Sequence, residues 1–151
     1  MRDESADLLR VRDEWQALQR EGVTVAALQA FYSRYKYLVM SRHLASYKAI
    51  GTLLAQAEAR NLAATAQQFF ELLLNALSMP ATRGGNVNAL LHISGYLKQQ
   101  LSADERRLLR ECIERYGRGE VELADPIALL RLHFQRFPHR YIEQQVFLQT
   151  R

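Results

Sequence analysis

Apolar residues recur along the chain at helical spacing, and no β-branched run alternates over five or more positions. No Asn-Gly or Asp-Gly hairpin turn is present either, so the pattern predicts helices and no sheet. Leu8, Val11, Trp15 and Leu18 share one face of a first helix over 4–19, which stops before Gly22. Thr24 is placed to cap a second helix with the stripe Leu28, Phe31, Tyr35, Leu38 and Val39. A break near 41–44 leads to a third, carrying Tyr47, Ile50, Leu54 and Ala57. Asn61 is placed to cap a fourth, LAATAQQFFELLLNALSM, whose single charge predicts a central helix packed on several sides. Pro80 ends it, the loop ATRGG follows, and a fifth helix is expected over 86–101.

Ser102 and Glu105 have capping-box spacing, which starts a helix with Leu108, Leu109, Cys112, Ile113 and Tyr116 on its buried face. Gly117 and Gly119 end it. Asp125-Pro126 reads as an N-cap followed by proline at the first helical position. That helix runs to Phe137, and a last one covers 139–148 with Tyr141, Ile142, Gln145 and Val146. The sum is an all-α fold, a compact single-domain bundle of seven to eight helices. Residues 1–23 read as an N-terminal helical extension and 24–151 as the domain proper.

Composition narrows the class. The 151 residues are 48% hydrophobic with only seven Gly and three Pro, which suits a globular domain. One thiol, Cys112, gives no disulfide framework and no iron–sulfur cluster held by this chain alone. The acidic, polar start MRDESADLLR is no signal peptide, and no uncharged apolar run reaches membrane-spanning length. The expectation is a cytoplasmic protein with no membrane association. Four histidines without ligand spacing predict no metal, and no cofactor motif is present.

The formal net charge is +4, unevenly placed. Residues 24–60 carry five basic side chains against one acidic, and residues 81–118 carry seven against four. Such clustering favours an anionic partner such as nucleic acid or phosphate, although a mildly basic soluble protein has the same balance. In the first segment, FYSRYKYLVMSRH interleaves Tyr32, Tyr35 and Tyr37 with Arg34, Lys36 and Arg42, as base stacking beside phosphate binding requires. At helical spacing Phe31, Tyr35 and Val39 belong to the core, leaving Arg34 and Tyr37 outward with Lys36 to one side.

The second segment holds MPATRGGNVNALLHISGYLK, residues 79–98. Leu90, Ile93, Leu97 and Leu101 form a core stripe, and Asn88, His92, Gly95, Tyr96 and Gln99 lie opposite it. That polar face is uncharged, and its glycine suits close approach of a ligand or of a neighbouring helix. Arg83, Gly84 and Gly85 before the helix offer free amides and a guanidinium to an anion. They lack the spacing of a P-loop. His92 is a possible general acid or base, but no complete catalytic constellation accompanies it, which points away from an enzyme.

FYSRYKYLVMS, YKAIG, ALSMPATRGGNVNALLHISGYLKQQLSADERRLL and IERYGRGEVELADPIALLRLH, in this order, resemble the YbgA-type domain, catalogued as a domain of unknown function. The resemblance covers roughly residues 24–148. In that family the domain occurs alone or fused behind a cysteine-rich iron–sulfur domain, and the fused forms resemble desulfidases acting on thiouracil or on thiouridine in tRNA. The resemblance implies that the helical part binds tRNA-like RNA while a cluster elsewhere does the chemistry, which for this chain would lie in a separate iron–sulfur partner protein. It carries over Lys36, Tyr37 and Met40 from the KYxxM segment, and Arg83, Asn88, His92, Tyr96 and Lys98 from the PATR segment. Two departures stand out: Tyr32 and Tyr35 occupy places where the family has histidines, and the chain ends QQVFLQTR without a Pro-Tyr-Pro tail.

The leading expectation is an RNA-binding or accessory module in which Arg34, Lys36, Arg42, Arg83 and Lys98 neutralise phosphates. Asn88, His92 and Tyr96 would contact sugar, base or terminal phosphate, with Tyr37 beside them. One alternative is a nucleotide or thio-base site using His92 and Arg83. Another is a module docking on an iron–sulfur protein through an exposed apolar patch at Trp15, Phe147 or Leu148.

Overall fold

The computed structural model describes residues 4–149. Eight α-helices follow one another: α1 (Glu4–Glu21), α2 (Val25–Arg42), α3 (Leu44–Ala55), α4 (Leu62–Ser78), α5 (Arg83–Ser94), α6 (Ala103–Gly117), α7 (Ala124–Arg136) and α8 (Arg140–Glu143). Short 3-10 turns lie at Ala59–Asn61, Gly95–Leu97 and Val146–Leu148, and no strand occurs among the described residues. The all-α bundle expected from periodicity is what forms.

Helix α4 packs on α1, α2 and α3, as its single charge predicts. The hub, however, is α2. It packs on α3, α4, α5 and the Val146–Leu148 turn, and its α5 contact is the most extensive in the fold. Buried residues ring it on all sides, from Leu28, Phe31 and Tyr35 to Tyr37, Met40 and Arg42. A helix enclosed in this way has no single apolar stripe.

Local signals set most helix starts. Thr24 Oγ1 accepts from Ala27 N at 3.0 Å, and Ser102 and Glu105 form the reciprocal capping box. Asn61 acts otherwise than expected. Its Oδ1 accepts from Glu58 N at 2.7 Å and its Nδ2 donates to Gln56 O at 3.2 Å, so it closes the turn before α4 and makes no side-chain cap. Leu108, expected inside, is 54% exposed, whereas Leu109, Ile113 and Tyr116 of the same helix are buried.

The last predicted helix is interrupted, and Gln145 is the reason. Its side chain is fully buried, its Nε2 donates to Ser33 O at 2.5 Å and its Oε1 accepts from Tyr37 N at 3.3 Å. Ser33 O and Tyr37 N are the i and i+4 groups of α2, so one amide from the C-terminal segment reaches into the α2 ladder. Phe147 and Leu148 are then buried against α2. Trp15 is buried too, stacked on Phe70 at 4.7 Å. The three residues expected to form an exposed docking patch are therefore core residues, since each fills a gap between helices.

Candidate functional site

The Arg-Gly-Gly entry to α5 is a joint. Thr82 caps the helix through Gly85 N at 3.0 Å. A Cβ on Gly85 would stand 2.0 Å from Ser41 O, so the glycine lets α5 touch the α2 backbone. Arg83 Nη1 donates to Tyr116 O at 2.9 Å, and its guanidinium lies 5.2 Å from the Tyr116 ring centroid. Arg83 thus caps the C-terminal carbonyl end of α6, where a cation is favourable. Asn86 Nδ2 donates to the Tyr116 hydroxyl from the buried side at 2.9 Å.

The basic residues of α2 divide sharply. The Arg42 side chain is 1% exposed and ion-paired with Asp7 at 2.9 Å; it also donates to Leu77 O and Met79 O. Its expected role on phosphate is corrected: the charge lies inside, joining α1 to the end of α4. Arg34 grips Glu14 with two bonds of 3.1 Å, and the Tyr35 hydroxyl donates to the same carboxylate at 2.5 Å. Burial pushes Glu14 up, but the bonds from Arg34, Tyr35 and Arg10 outweigh it and hold the carboxyl below its ordinary value. Tyr37, expected outward, is 4% exposed, because the C-terminal segment and the Gly95–Leu97 turn cover it.

Tyr37 is where the two sequence segments meet. Its hydroxyl lies 2.9 Å from that of Tyr96, with the rings edge to face at 6.4 Å. His139 stands edge-on to Tyr96 at 4.8 Å, and Tyr141 packs on both. Burial, then the Tyr96 bond, holds the Tyr37 phenol well above its ordinary value, so it stays protonated.

Next to this cluster opens a groove of ≈ 670 Å³ between α2, α3 and α8, lined among others by Tyr32, Lys36, Tyr47, Lys48, Gly51 and Tyr141. The Lys36 ammonium sits 5.7 Å from the Tyr37 ring centroid and 5.8 Å from that of Tyr47. Burial raises the Tyr141 phenol, and the nearby Lys36 ammonium opposes that rise. No acidic side chain is among the residues lining the groove. Tyr32 is buried along one wall, donates to Tyr47 O at 3.4 Å, and is raised by burial and by its tyrosine neighbours.

Residues 36–150 match the family described as "Protein of unknown function (DUF1722)". The chain belongs to this family. The matched span begins at Lys36 and takes in the groove's α3 and C-terminal walls together with the Tyr96 turn. The "Uncharacterized protein YbgA" of Escherichia coli (strain K12) is 27% identical over 137 residues, 90% of this chain and 81% of that protein. No solved structure matches. This DUF1722 chain has no group of three metal-ligating side chains placed to hold an ion among its described residues. None of its described helices is long and apolar enough to cross a membrane.

Of the residues singled out from sequence, Lys36, Tyr37 and Tyr96 come together around the tyrosines. Asn88 is half-buried, while His92 and Lys98 are exposed, and none of the three lines the groove. Tyr47, Lys48, His139 and Tyr141 were missed. The signal for the groove lies in two facing stripes at helical spacing: Gln29, Tyr32, Ser33 and Lys36 on α2, and Tyr47, Lys48, Gly51 and Thr52 on α3. Neither stripe is apolar enough to be core or charged enough to be an ordinary solvated face. The arrangement offers ring faces and edges for an aromatic ligand, phenolic donors for its polar atoms, and two ammonium groups for its negative charge.

Proposed function

We propose that this domain binds tRNA-like RNA, with an unpaired nucleotide entering the tyrosine groove. The observation that carries the reading is the placement of Lys36 and Lys48 beside Tyr32, Tyr47 and Tyr141 in one open groove without an acidic lining residue. A base stacks on an exposed tyrosine face, a phosphate meets the lysines, and the Tyr37–Tyr96 pair holds the wall behind. Burial keeps the Tyr32 and Tyr37 phenols protonated throughout the neutral range, so the wall carries no phenolate charge to repel a phosphate. The resemblance to desulfidase-associated domains fits this role: sulfur chemistry would belong to a separate iron–sulfur protein, and this chain would hold the RNA.

The groove also has the size of a nucleotide site, which lies within about 300–1,000 Å³. A free nucleotide or thio-base is therefore the second reading. It no longer uses His92 and Arg83, which do not line the groove. The test is a titration of tRNA and of short single-stranded RNA at two salt concentrations, wild type against Lys36→Ala and Tyr47→Ala. Each variant weakens RNA binding, Tyr47→Ala by about 1–3 kcal/mol if a base stacks there. Wild-type affinity that is absent at low salt, or unchanged in both variants, overturns the reading. Binding of a mononucleotide as tight as that of the longer strand favours the second.

A further inference from the structure

We propose a second, phosphate-binding cleft between the Gly95–Leu97 turn and α6, formed by Lys98, Arg106 and Arg110 over the backbone of Gly95. The cleft holds ≈ 290 Å³ and is flanked by Leu91, which is 44% exposed, and by Leu109. Three cations line it and no acidic side chain does. The other arginines of α6 differ: Arg107 is paired with Asp104 and Glu111, and Arg115 with Glu120; Arg118, just past its end, is paired with Glu120 as well. Among the described residues Arg110 and the Lys98 ammonium have no acidic or hydrogen-bonding partner.

Arg106 is fixed in place. Its Nη1 donates to Leu101 O at 2.7 Å and to Lys98 O at 3.3 Å, which leaves Nε and Nη2 without an acceptor among the described residues. Arg106 and Arg110 are four residues apart on one helix, a like-charge spacing that is unfavourable unless an anion comes between them. Gly95 adds an independent observation. It has helical dihedrals, and a Cβ there would meet nothing within 4 Å, so neither strain nor packing explains the glycine. What it leaves is bare backbone beside three unpaired cationic groups, where a phosphate oxygen can approach closely.

The same turn sends Tyr96 into the tyrosine cluster and presents Gly95 and Lys98 to the cleft. A strand holding a base in the tyrosine groove can therefore place backbone phosphates in the cleft by passing round the turn. That choice of source rests on the RNA reading; a free phosphate ester shares the chemistry.

The test uses the full chain labelled with nitrogen-15 and two probes, inorganic pyrophosphate and a fluorescent single-stranded oligoribonucleotide. Pyrophosphate shifts the Gly95 and Lys98 amides saturably. The double variant Lys98→Ala with Arg110→Ala, which removes no side-chain hydrogen bond or ion pair among the described residues, weakens that binding at least tenfold, while Arg60→Ala, at a residue that lines neither the groove nor the cleft, leaves it unchanged. With the oligoribonucleotide, the double variant makes the slope of log affinity against log salt shallower by about 1.4, the value for two phosphate contacts on a single strand. A lost pyrophosphate response with an unchanged RNA slope assigns the cleft to free phosphate esters. Unmoved Gly95 and Lys98 amides together with an unchanged slope overturn the cleft, whatever Lys36→Ala does to RNA. Absent RNA binding with an intact pyrophosphate response removes the RNA reading alone.

Discussion

The two ends of α5 each begin with a glycine and a basic residue nearby, and they do opposite things. At the N-terminal end the contacts are made within the protein: Gly85 touches the α2 backbone, Arg83 holds a carbonyl of α6 through Nη1, and Asn86 holds the hydroxyl of Tyr116. At the C-terminal end Gly95 faces open space, the Lys98 ammonium has no partner among the described residues, and Tyr96 is turned into the aromatic cluster. A glycine–arginine loop at a helix N-terminus has the ingredients of an anion seat, yet here it is a three-way joint between helices. The end with no recognisable anion motif is the one whose cations are unengaged. Ligand binding is to be sought where the protein leaves its polar groups unsatisfied, not where the motif is most suggestive.

The sharpest way to break this comparison is a methyl group at each glycine. Gly85→Ala drives a Cβ into Ser41 O, a backbone atom that cannot move without shifting α2, and is expected to destabilise by ~3 kcal/mol or prevent folding. Gly84→Ala, one residue away with nothing within 4 Å, is expected to be neutral or to stabilise by up to about 1 kcal/mol. Urea denaturation of the pair reads the difference directly. Equal stabilities would mean that α5 does not rest on α2 as described.

The next effect in size concerns Tyr116. Asn86→Ala leaves the buried side of its hydroxyl without a partner and is expected to lower stability by about 1–3 kcal/mol. Arg83→Ala, at the exposed side of the same residue, should lower it less. Neither change should alter RNA affinity, measured by titration under conditions where the variants are folded. A large affinity loss in Arg83→Ala would restore the entry loop as a ligand site.

The fold was legible because its signals are local. Helical periodicity, the Thr24 cap and the Ser102–Glu105 box lie within one or two turns of sequence and act there. The site was legible only in part, because what decides it is distant. Arg34 and Arg42 look like any exposed arginines of a basic segment until α1 brings Glu14 and Asp7 to them. Tyr37 has an outward helical angle until a segment more than 100 residues later covers it and inserts Gln145. Gly84, Gly85 and Gly95 are indistinguishable in sequence; space separates the contact at Gly85 from the open positions at Gly84 and Gly95, of which Gly95 lines the cleft. The KY and GY motifs were visible; that they meet through a pair of phenols was not.

A pH titration sharpens the contrast between engaged and unengaged cations. Glu14 has a folded-state pKa below its ordinary value of 4.5. The stability it contributes is complete above that ordinary value and is lost as pH falls through the lower folded value. Acid unfolding of Glu14→Gln should therefore show a shallower acid limb than wild type, with little difference in slope at neutral pH. Lys98→Ala should leave the acid limb unchanged, because no carboxylate is paired with it among the described residues. A parallel change in both variants would place an unseen acid beside Lys98 and weaken the case for its cleft.

The smallest effect is the most discriminating. Gly95 sits at a helical position with no packing reason to be glycine, so Gly95→Ala should stabilise the fold by about 0.5–1 kcal/mol through the lower entropy of the unfolded chain. The same methyl group covers the bare backbone beside Lys98, Arg106 and Arg110. It should weaken pyrophosphate binding while the melting temperature rises, a combination that general damage to the fold cannot produce. If binding is unaffected, phosphate does not approach the backbone at Gly95 and the cleft works through its side chains alone. If stability falls, Gly95 has a neighbour that the open space around it does not show, and the contrast between the two ends of α5 loses its basis.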